Sequence, residues 1–225
     1  MWLNVSENDI QAFDYSLVPL TLTWLDISHN NVPSLDSFTA LRSSLISCLD
    51  ASFNKLVKLE SNSSPAAVET LLLDDNEISE VSPYAYFHLT KLVKADLSVN
   101  EISSLTENSL RLSADSLTIP SFNLGGNPIA CNCHMQWFQN INREAKLANY
   151  PHITDLESIY CQLMNTPTKT FIPLVEARPD QFLCEYGTHC FSLCQCCQFD
   201  SCDYEMYLYF LYTFLYILYL HILCI

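Results

Sequence analysis

The stretch LTWLDISHNNVPSL at residues 22–35 decides the fold, because its apolar residues alternate as in a strand and then give way to asparagine. A similar stretch, ISCLDASFNKLVKL, follows 24 residues later at residues 46–59. Alternation with a period of two places successive side chains on opposite faces of an extended strand. Recurrence of such a unit at a nearly fixed interval is typical of a repeat protein.

The repeat extends through the first 130 residues. Further units read LNVSENDI, VETLLLDDNEI, LVKADLSVNEI and IPSFNLGGNPI, with asparagine spacings of 22, 24, 22, 24 and 27 residues along the chain. Each unit approximates L-x-x-L-x-L-x-x-N-x-L, which is the leucine-rich repeat pattern. We therefore predict an α/β fold: a solenoid of about six repeats over residues 1–130, the first one truncated, with a curved parallel β-sheet on its concave face.

The aligned asparagines are predicted to be structural. Buried turn groups of the backbone need hydrogen-bond partners, and a side-chain amide both donates and accepts. We expect each asparagine to turn inward and bond the neighbouring repeat, which forms a ladder of Asn8, Asn30, Asn54, Asn76, Asn100 and Asn127. The core is expected to contain Leu22, Leu25, Leu35, Leu49, Leu56, Leu59, Leu71, Leu73, Leu97 and Leu105.

The composition restricts the classes of partner. The chain has 10 basic and 25 acidic residues and a net charge of −15. That balance disfavours nucleic acid and anionic membrane surfaces, whose recognition needs Lys and Arg, and it favours protein partners, especially basic ones. Because no Ser–His–acid or paired-carboxylate arrangement stands out, we expect neither an enzyme nor a cofactor.

A cysteine-rich module follows the last repeat. Cys131 and Cys133 form C-x-C within NPIACNCHMQWFQNI, and Cys161 and Cys184 come later. Spacing alone allows three pairings. The module resembles the C-terminal cap of extracellular leucine-rich repeat proteins, and this resemblance implies the disulfides Cys131–Cys161 and Cys133–Cys184. We assign residues 131–184 to such a cap, with Trp137 and Phe138 packed beneath it.

A second cysteine cluster occupies residues 185–205. Together with His189 it has the ligand types of zinc, so a cytosolic zinc-binding protein is an alternative to further disulfides. Its cysteines are Cys190, Cys194, Cys196, Cys197 and Cys202. The stretch HCFSLCQCCQFDSCDYEM, with FIPLVEARPDQFLC upstream, resembles the juncture between two repeat blocks in the long Toll receptors of invertebrates. Tyr204 stands where that family has a further cysteine.

The Toll resemblance implies a function. It suggests the extracellular ligand-binding part of a transmembrane receptor in innate immune or developmental signalling, without the cytoplasmic TIR domain. The implied ligand is a secreted cystine-knot cytokine of the Spätzle kind, a receptor dimer is a further expectation, and the implied location is the extracellular face of the plasma membrane. A leucine-rich adhesion or matrix protein is the alternative.

Both ends of the chain depart from this picture. No signal peptide precedes the first repeat, which starts in mid-strand, so we expect the natural chain to begin further upstream. Residues 206–225, MYLYFLYTFLYILYLHILCI, are long and apolar enough to act as a membrane anchor. However, tyrosines are spread throughout this segment and no Lys or Arg follows Arg178. We therefore favour translated non-coding sequence over an anchor.

The outward positions of the strands form the candidate protein-binding face. Asp26, Asp50 and Asp96 occupy the same position in their repeats and should form an acidic stripe, for which a merely solvated surface is the alternative. Trp24 and Phe53 would be apolar anchors. The full set of candidate contacts is Trp24, Asp26, His29, Asp50, Phe53, Leu72, Asp75, Lys94 and Asp96.

Three further residues invite modification. Asn4 and Asn62 lie in N-glycosylation sequons. Because Asn4 occupies the strand position equivalent to Asp26, a glycan there would block that end of the concave face. Either Asn4 is therefore unmodified or the ligand binds elsewhere, and we favour contacts on lateral or terminal surfaces. Cys48 points outward without an evident partner, as a half-buried thiol or as a residue that cross-links two chains.

Overall fold

The computed structural model describes residues 1–35, 44–61, 63–143, 149–164 and 168–184. These residues belong to one compact unit, Met1–Cys184. Several predictions lie outside the described residues, namely those for Asn62, for residues 185–205 with Cys190, Cys194, Cys196, Cys197 and Cys202, and for residues 206–225.

Short strands and 3₁₀ turns make up the described residues. The strands are β1 (Trp2–Asn4), β2 (Trp24–Asp26), β3 (Cys48–Asp50), β4 (Lys58–Leu59), β5 (Thr70–Leu72), β6 (Glu80–Val81), β7 (Lys94–Asp96), β8 (Ser121–Asn123), β9 (Ala130–Cys131), β10 (His152–Ile153), β11 (Tyr160–Leu163) and β12 (Phe171–Pro173). The helical segments of this part of the chain are 3₁₀ helices at Tyr15–Leu17, Glu107–Ser109, Gln136–Asn140, Leu156–Ser158, Leu174–Glu176 and Pro179–Gln181.

The main sheet has seven strands in the order β1-β2-β3-β5-β7-β8-β10, and all neighbours are parallel. Each repeat contributes one strand of three residues, and the register aligns equivalent positions, such as Leu25 with Leu49 and Leu49 with Leu71. The middle residue of each repeat strand after β1 is buried, and the flanking residues face outward. This arrangement confirms the predicted leucine-rich repeat solenoid.

The core follows the sequence pattern. Every leucine predicted to be buried is at most 2% exposed. Tyr15 and Tyr86 add two large side chains to the same core, and the Tyr15 hydroxyl donates to the Ser63 carbonyl at 3.2 Å. The stack of leucines therefore forms one continuous apolar interior, as expected for repeats that bury their apolar faces against one another.

A second, smaller sheet lies away from the main one. It pairs β4 with β6 in parallel, and Lys58 Nζ lies 3.0 Å from Glu60 and 3.1 Å from Glu80. These side chains are exposed, so the ion pairs add little stability.

The cap adds one strand to the main sheet and is closed internally by two disulfides. Strand β10 pairs with β8 and extends the main sheet, while β9, β11 and β12 form a separate three-stranded sheet. The disulfides are Cys131–Cys161 and Cys133–Cys184, with Cα–Cα distances of 5.2 and 5.0 Å. Both agree with the pairing that the family resemblance implied.

Two aromatic side chains fill the junction between cap and repeats. Phe138 is fully buried, and Trp137 is half-buried against the core. The Trp137 indole N–H donates to the Leu105 carbonyl at 3.3 Å. Both residues therefore pack as the sequence suggested, between the last repeat and the disulfide-bonded region.

Each repeat turn requires one left-handed residue. It is the residue immediately before the ladder asparagine, and its φ lies between 51° and 53° at Glu7, His29, Phe53, Asp75 and Val99. Only the last unit has a glycine there, Gly126, with φ of 75°. A non-glycine residue in this region costs about 1–2 kcal/mol, and the strain is greatest for a β-branched residue such as Val99.

Candidate protein-binding face

The asparagine ladder fixes the turns that border the candidate face. Asn54 Oδ1 accepts from Val32 N–H at 3.0 Å, and its Nδ2 donates to the Ile27 carbonyl of the preceding repeat at 3.0 Å. The same pair of inter-repeat bonds is made by Asn30, Asn76, Asn100 and Asn127. These five asparagines are buried, as the pattern predicted.

Asn8 differs from the other asparagines. Its Nδ2 donates to the carbonyls of Val5 and Ser6 in its own turn, and its side chain is exposed. It belongs to the first described repeat, whose strand β1 is an edge of the sheet. Asn8 therefore makes only the intra-turn half of the ladder bonds.

The three aspartates predicted to form an acidic stripe are bound to serines. Asp26 Oδ1 accepts from the Ser28 backbone N–H at 3.0 Å and from its hydroxyl at 2.7 Å. Asp50 binds Ser52 in the same way, and Asp96 binds Ser98. The Asp-x-Ser spacing therefore closes an Asx turn at the ends of β2, β3 and β7.

This arrangement corrects the prediction for Asp26. The residue is only 9% exposed, and its second carboxylate oxygen accepts from Asn4 Nδ2 at 3.0 Å. Asp50 and Asp96 are half-buried, with one oxygen each engaged by serine. The aspartates thus serve mainly to build the turn, because their side chains fold back onto the following backbone.

Two neighbouring carboxyl groups have opposite pKa shifts. Burial raises the pKa of Asp74, and the nearby Asp96, Asp50 and Asp75 raise it further. Burial also acts to raise the pKa of Asp96, but hydrogen bonds from Ser98 and Asn123 and the charge of Lys94 outweigh it and lower the pKa. Lys94 Nζ lies 3.6 Å from the Asp96 carboxylate.

An aromatic pair and a thiol lie along the border of the sheet face that is opposite the asparagine turns. Trp2 and Trp24 contact edge to face with ring centroids 6.4 Å apart, and Trp2 is 72% exposed. Cys48 follows in the same row and is half-buried. Burial and the charges of Asp50 and Asp26 raise the pKa of its thiol. A hydrogen bond with Trp24 acts to lower this pKa, but its effect is smaller. A protonated thiol is a poor nucleophile, which disfavours spontaneous cross-linking through Cys48.

The left-handed turn residues form a row that we call the turn ridge, defined by Glu7, His29, Phe53, Asp75 and Val99. The rings of His29 and Phe53 are stacked, with centroids 4.2 Å apart and an interplanar angle of 8°. Phe53 is 44% exposed and Val99 is 50% exposed. Of the predicted contacts, His29, Phe53 and Asp75 therefore lie together on one edge of the face, away from Trp24 and Lys94. Leu72 lies between these borders and is half-buried.

The Asn4 sequon is built into the first turn. Asn4 Oδ1 accepts from the Ser6 backbone N–H at 2.8 Å and from its hydroxyl at 2.7 Å. Asn4 thus occupies the position that Asp26, Asp50 and Asp96 occupy in their repeats, and its side chain is exposed. A glycan on Asn4 stays a prediction.

Asp155 is a residue that the sequence analysis missed. Its carboxylate accepts from Leu124 N–H at 3.0 Å and from Gly125 N–H at 2.6 Å. A Cβ on Gly125 would lie 2.8 Å from the same carboxylate oxygen, so glycine is needed there. The signal that could have found this contact is Gly125, which stands where earlier repeats have serine or aspartate.

Comparison with known proteins adds evidence of relationship. The chain is 38% identical over 209 residues to Toll-like receptor 7 of Drosophila melanogaster, an alignment that covers 92% of this chain and 14% of that protein. This chain is homologous to a segment of a Toll-like receptor. No protein-family model matches it.

Other relatives match only part of this chain. Leucine-rich repeat and fibronectin type III domain-containing protein 1 of Danio rerio is 32% identical over 142 residues, which are 57% of this chain and 24% of that protein. The Homo sapiens protein of the same name is 32% identical over 122 residues, 50% of this chain and 16% of that protein. The chain therefore spans less than a quarter of each of these relatives.

One group of side chains in the described part of the cap has the ligand types of a metal site. Cys133, His134 and Cys184 place their donor atoms within 4.8 Å of one another, but the two cysteines form a disulfide and so present no thiolates. Over the described ranges, no helix has the length and apolar character needed to span a bilayer.

Proposed function

We propose that the chain is the extracellular, protein-binding part of a Toll-type receptor and that it receives a secreted protein ligand on the sheet face. The observation that carries this proposal is homology to a Toll-like receptor over 92% of the chain. The described solenoid supports it, because its strands present outward side chains in aligned rows that suit recognition of a protein surface.

The disulfides of the cap support an extracellular setting. Cys131–Cys161 and Cys133–Cys184 tie the cap together. Structural disulfides persist in secreted proteins and on cell surfaces, whereas cytosolic thiols are kept reduced. We place the chain at the extracellular face of the plasma membrane.

The ligand class follows from charge and family. A net charge of −15 favours a basic protein, and the Toll resemblance points to a secreted cystine-knot cytokine of the Spätzle kind. Receptor dimerisation and a role in innate immune or developmental signalling belong to the same proposal. We expect no enzymatic activity.

An adhesion or matrix function is the second candidate. It is favoured by the relatives that combine leucine-rich repeats with fibronectin type III domains. Such a protein would use the same sheet face to bind another cell-surface or matrix protein. The two candidates therefore differ in the class of partner and agree on the surface that recognises it.

The test is binding of the full chain to an immobilised panel of secreted cystine-knot cytokines and matrix proteins. A bulky Thr70→Tyr substitution would place a ring on β5, the middle strand of the seven-stranded sheet, where Thr70 is half-buried. We expect a cytokine to bind and Thr70→Tyr to abolish that binding. Leu117→Tyr is the control, since Leu117 lies outside the sheet and is 75% exposed. Binding to matrix proteins alone would favour the adhesion function instead.

A further inference from the structure

The side chains of the turn ridge belong neither to the apolar core nor to the asparagine ladder. His29 and Phe53 stack on each other at the surface, and both residues are exposed. Glu7 precedes them in the row and Asp75 follows. Among the ion pairs formed by the described residues, none includes Glu7 or Asp75. The ridge thus presents an exposed aromatic stack between two unpaired carboxylates.

The backbone fixes the spacing of these groups. Glu7 N–H donates to the Ser28 carbonyl, His29 N–H to Ser52, and Phe53 N–H to Asp74, at 3.0 to 3.1 Å. Equivalent residues therefore succeed one another at the spacing of parallel strands, about 4.8 Å. Three such steps separate Glu7 from Asp75, which places their backbones about 14 Å apart. The aromatic stack lies midway.

An extended peptide has a matching spacing. Residues i, i+2 and i+4 of a strand share one face, and the outer two lie about 13 Å apart at about 3.3 Å per residue. Basic side chains at i and i+4 would reach the two carboxylates. An apolar side chain at i+2 would then pack on the His29–Phe53 stack. The overall charge of −15 attracts such a basic segment.

We propose that the turn ridge recognises an extended basic segment of a protein ligand with the order basic–x–apolar–x–basic. Glu7 and Asp75 bind the two basic side chains, and the His29–Phe53 stack binds the apolar one. This proposal rests on the proposed function, because it names the part of the ligand that the receptor homologue reads. On this proposal the ligand contacts the turn ridge and not the aspartates at the strand ends, whose carboxylates are hydrogen-bonded to serines.

The probe is a synthetic peptide with the order arginine, serine, leucine, serine, arginine between glycine linkers, and the protein is the full chain. Its partner peptide has the same composition but adjacent arginines, so that only the spacing differs. We expect the first peptide to bind at least tenfold more tightly than the second. Added salt should weaken its binding, because both contacts are between opposite charges.

A charge-matched pair of variants locates the binding. The double variant Glu7→Gln with Asp75→Asn removes the ridge charges and should weaken binding at least tenfold. The control, Glu77→Gln with Glu101→Gln, removes two exposed carboxylates on the other side of the ladder asparagines and should leave binding unchanged. Phe53→Asn tests the aromatic stack with a residue that tolerates the left-handed turn, and it should also weaken binding.

Several results would overturn the proposal. They are absence of peptide binding, equal binding of the two peptides, and equal loss in the ridge and control variants. If the ridge variants leave cytokine binding intact while Thr70→Tyr abolishes it, the ridge inference fails and the proposed function stands. If the ridge binds the spaced peptide but no cytokine binds the chain, the ridge inference holds for basic segments and the proposed ligand class fails.

Discussion

Asn54 connects two repeats through one buried side chain. It accepts from Val32 N–H and donates to the carbonyls of Ile27, Ala51 and Ser52. Removing the amide leaves these buried backbone groups without partners, and each unmade bond costs about 1–3 kcal/mol. The position of this residue was predictable because the repeat aligns it with the other ladder asparagines.

We predict that Asn54→Ala lowers the free energy of unfolding by about 3 kcal/mol or more. Asn8→Ala is the matched control, since Asn8 is exposed and bonds only within its own turn. It should cost less than about 1 kcal/mol. Urea denaturation followed by circular dichroism measures both variants. Equal costs would contradict the assignment of Asn54 to an inter-repeat ladder.

Val99 has a left-handed backbone that glycine adopts without strain. With φ of 53° and half of its surface exposed, its side chain contributes little burial to offset that strain. We predict that Val99→Gly raises the free energy of unfolding by about 1 kcal/mol.

The control for this change is Val93→Gly, at a similarly exposed valine outside the left-handed positions, which should lower stability. Gly126→Ala should also lower it. A Cβ on Gly126 would lie 3.1 Å from a Val99 methyl group, so Val99→Gly should partly rescue Gly126→Ala. Chemical denaturation of the four variants gives the comparison. A loss of stability in Val99→Gly would contradict the strain argument.

Asp74 should destabilise the fold at neutral pH, because its folded-state pKa is raised from the usual 3.8. Its charged form is disfavoured in the fold, and this cost disappears as the pH falls below the unfolded-state pKa. We predict that Asp74→Asn increases the free energy of unfolding at pH 7. The gain should vanish at a pH below about 3.9.

Asp96→Asn should change the free energy of unfolding in the opposite direction. Its folded-state pKa is lowered, so the charged form stabilises the fold above the unfolded-state pKa, and this contribution is lost as the pH falls through the folded-state pKa. Asp96→Asn should therefore lower stability at pH 7 and have less effect in acid. Denaturation curves at several pH values test both variants, and pH-independent differences would contradict these assignments.

At the residue scale, sequence reasoning failed where a side chain turns back on its own backbone. Strand alternation places Asp26 on the outward face, and that much is correct. The serine two residues later was the missing signal, because Asp-x-Ser closes an Asx turn that engages the carboxylate. The left-handed residues were also missed, because glycine is the residue expected in this conformation and Gly126 is the only glycine among the six turn positions.

At the element scale, the strands of the repeats were predictable and β10 was not. The repeat strands recur with a pattern that aligns their buried residues. Strand β10 has no such pattern, although it pairs in parallel with β8 at the end of the main sheet. The disulfides came from family resemblance, since the spacing of the four cysteines left three pairings open.

We predict that Asp155→Ala loosens the contact between the cap and the last repeat. Two backbone N–H groups lose a charged acceptor, which should cost about 2–4 kcal/mol. Hydrogen exchange at Leu124 and Gly125 should accelerate more than elsewhere in the solenoid. Glu157→Ala is the control, because it removes only an exposed ion pair with Arg143. Unchanged exchange at those two amides would show that Asp155 does not hold the junction.

At the scale of the whole molecule, the described residues form a capped solenoid with one outward sheet face and one turn ridge. The repeat pattern explains its interior. The features that the pattern does not specify lie on the surface: exposed aromatic residues, strained turns and the side chains that give a net charge of −15. We therefore expect binding to depend on the surface rows. The repeat positions the side chains of these rows but does not determine their identity, which is why sequence periodicity predicts the fold better than the ligand.

We propose that this chain forms an oxidised, extracellular solenoid that binds protein. A non-reducing peptide map of the full chain, expressed in eukaryotic cells behind an added signal peptide, tests this proposal. We predict linked peptides for Cys131–Cys161 and Cys133–Cys184, together with a glycan on Asn62. Free thiols at these four cysteines with stoichiometric zinc would contradict the account and indicate an intracellular metal-binding protein.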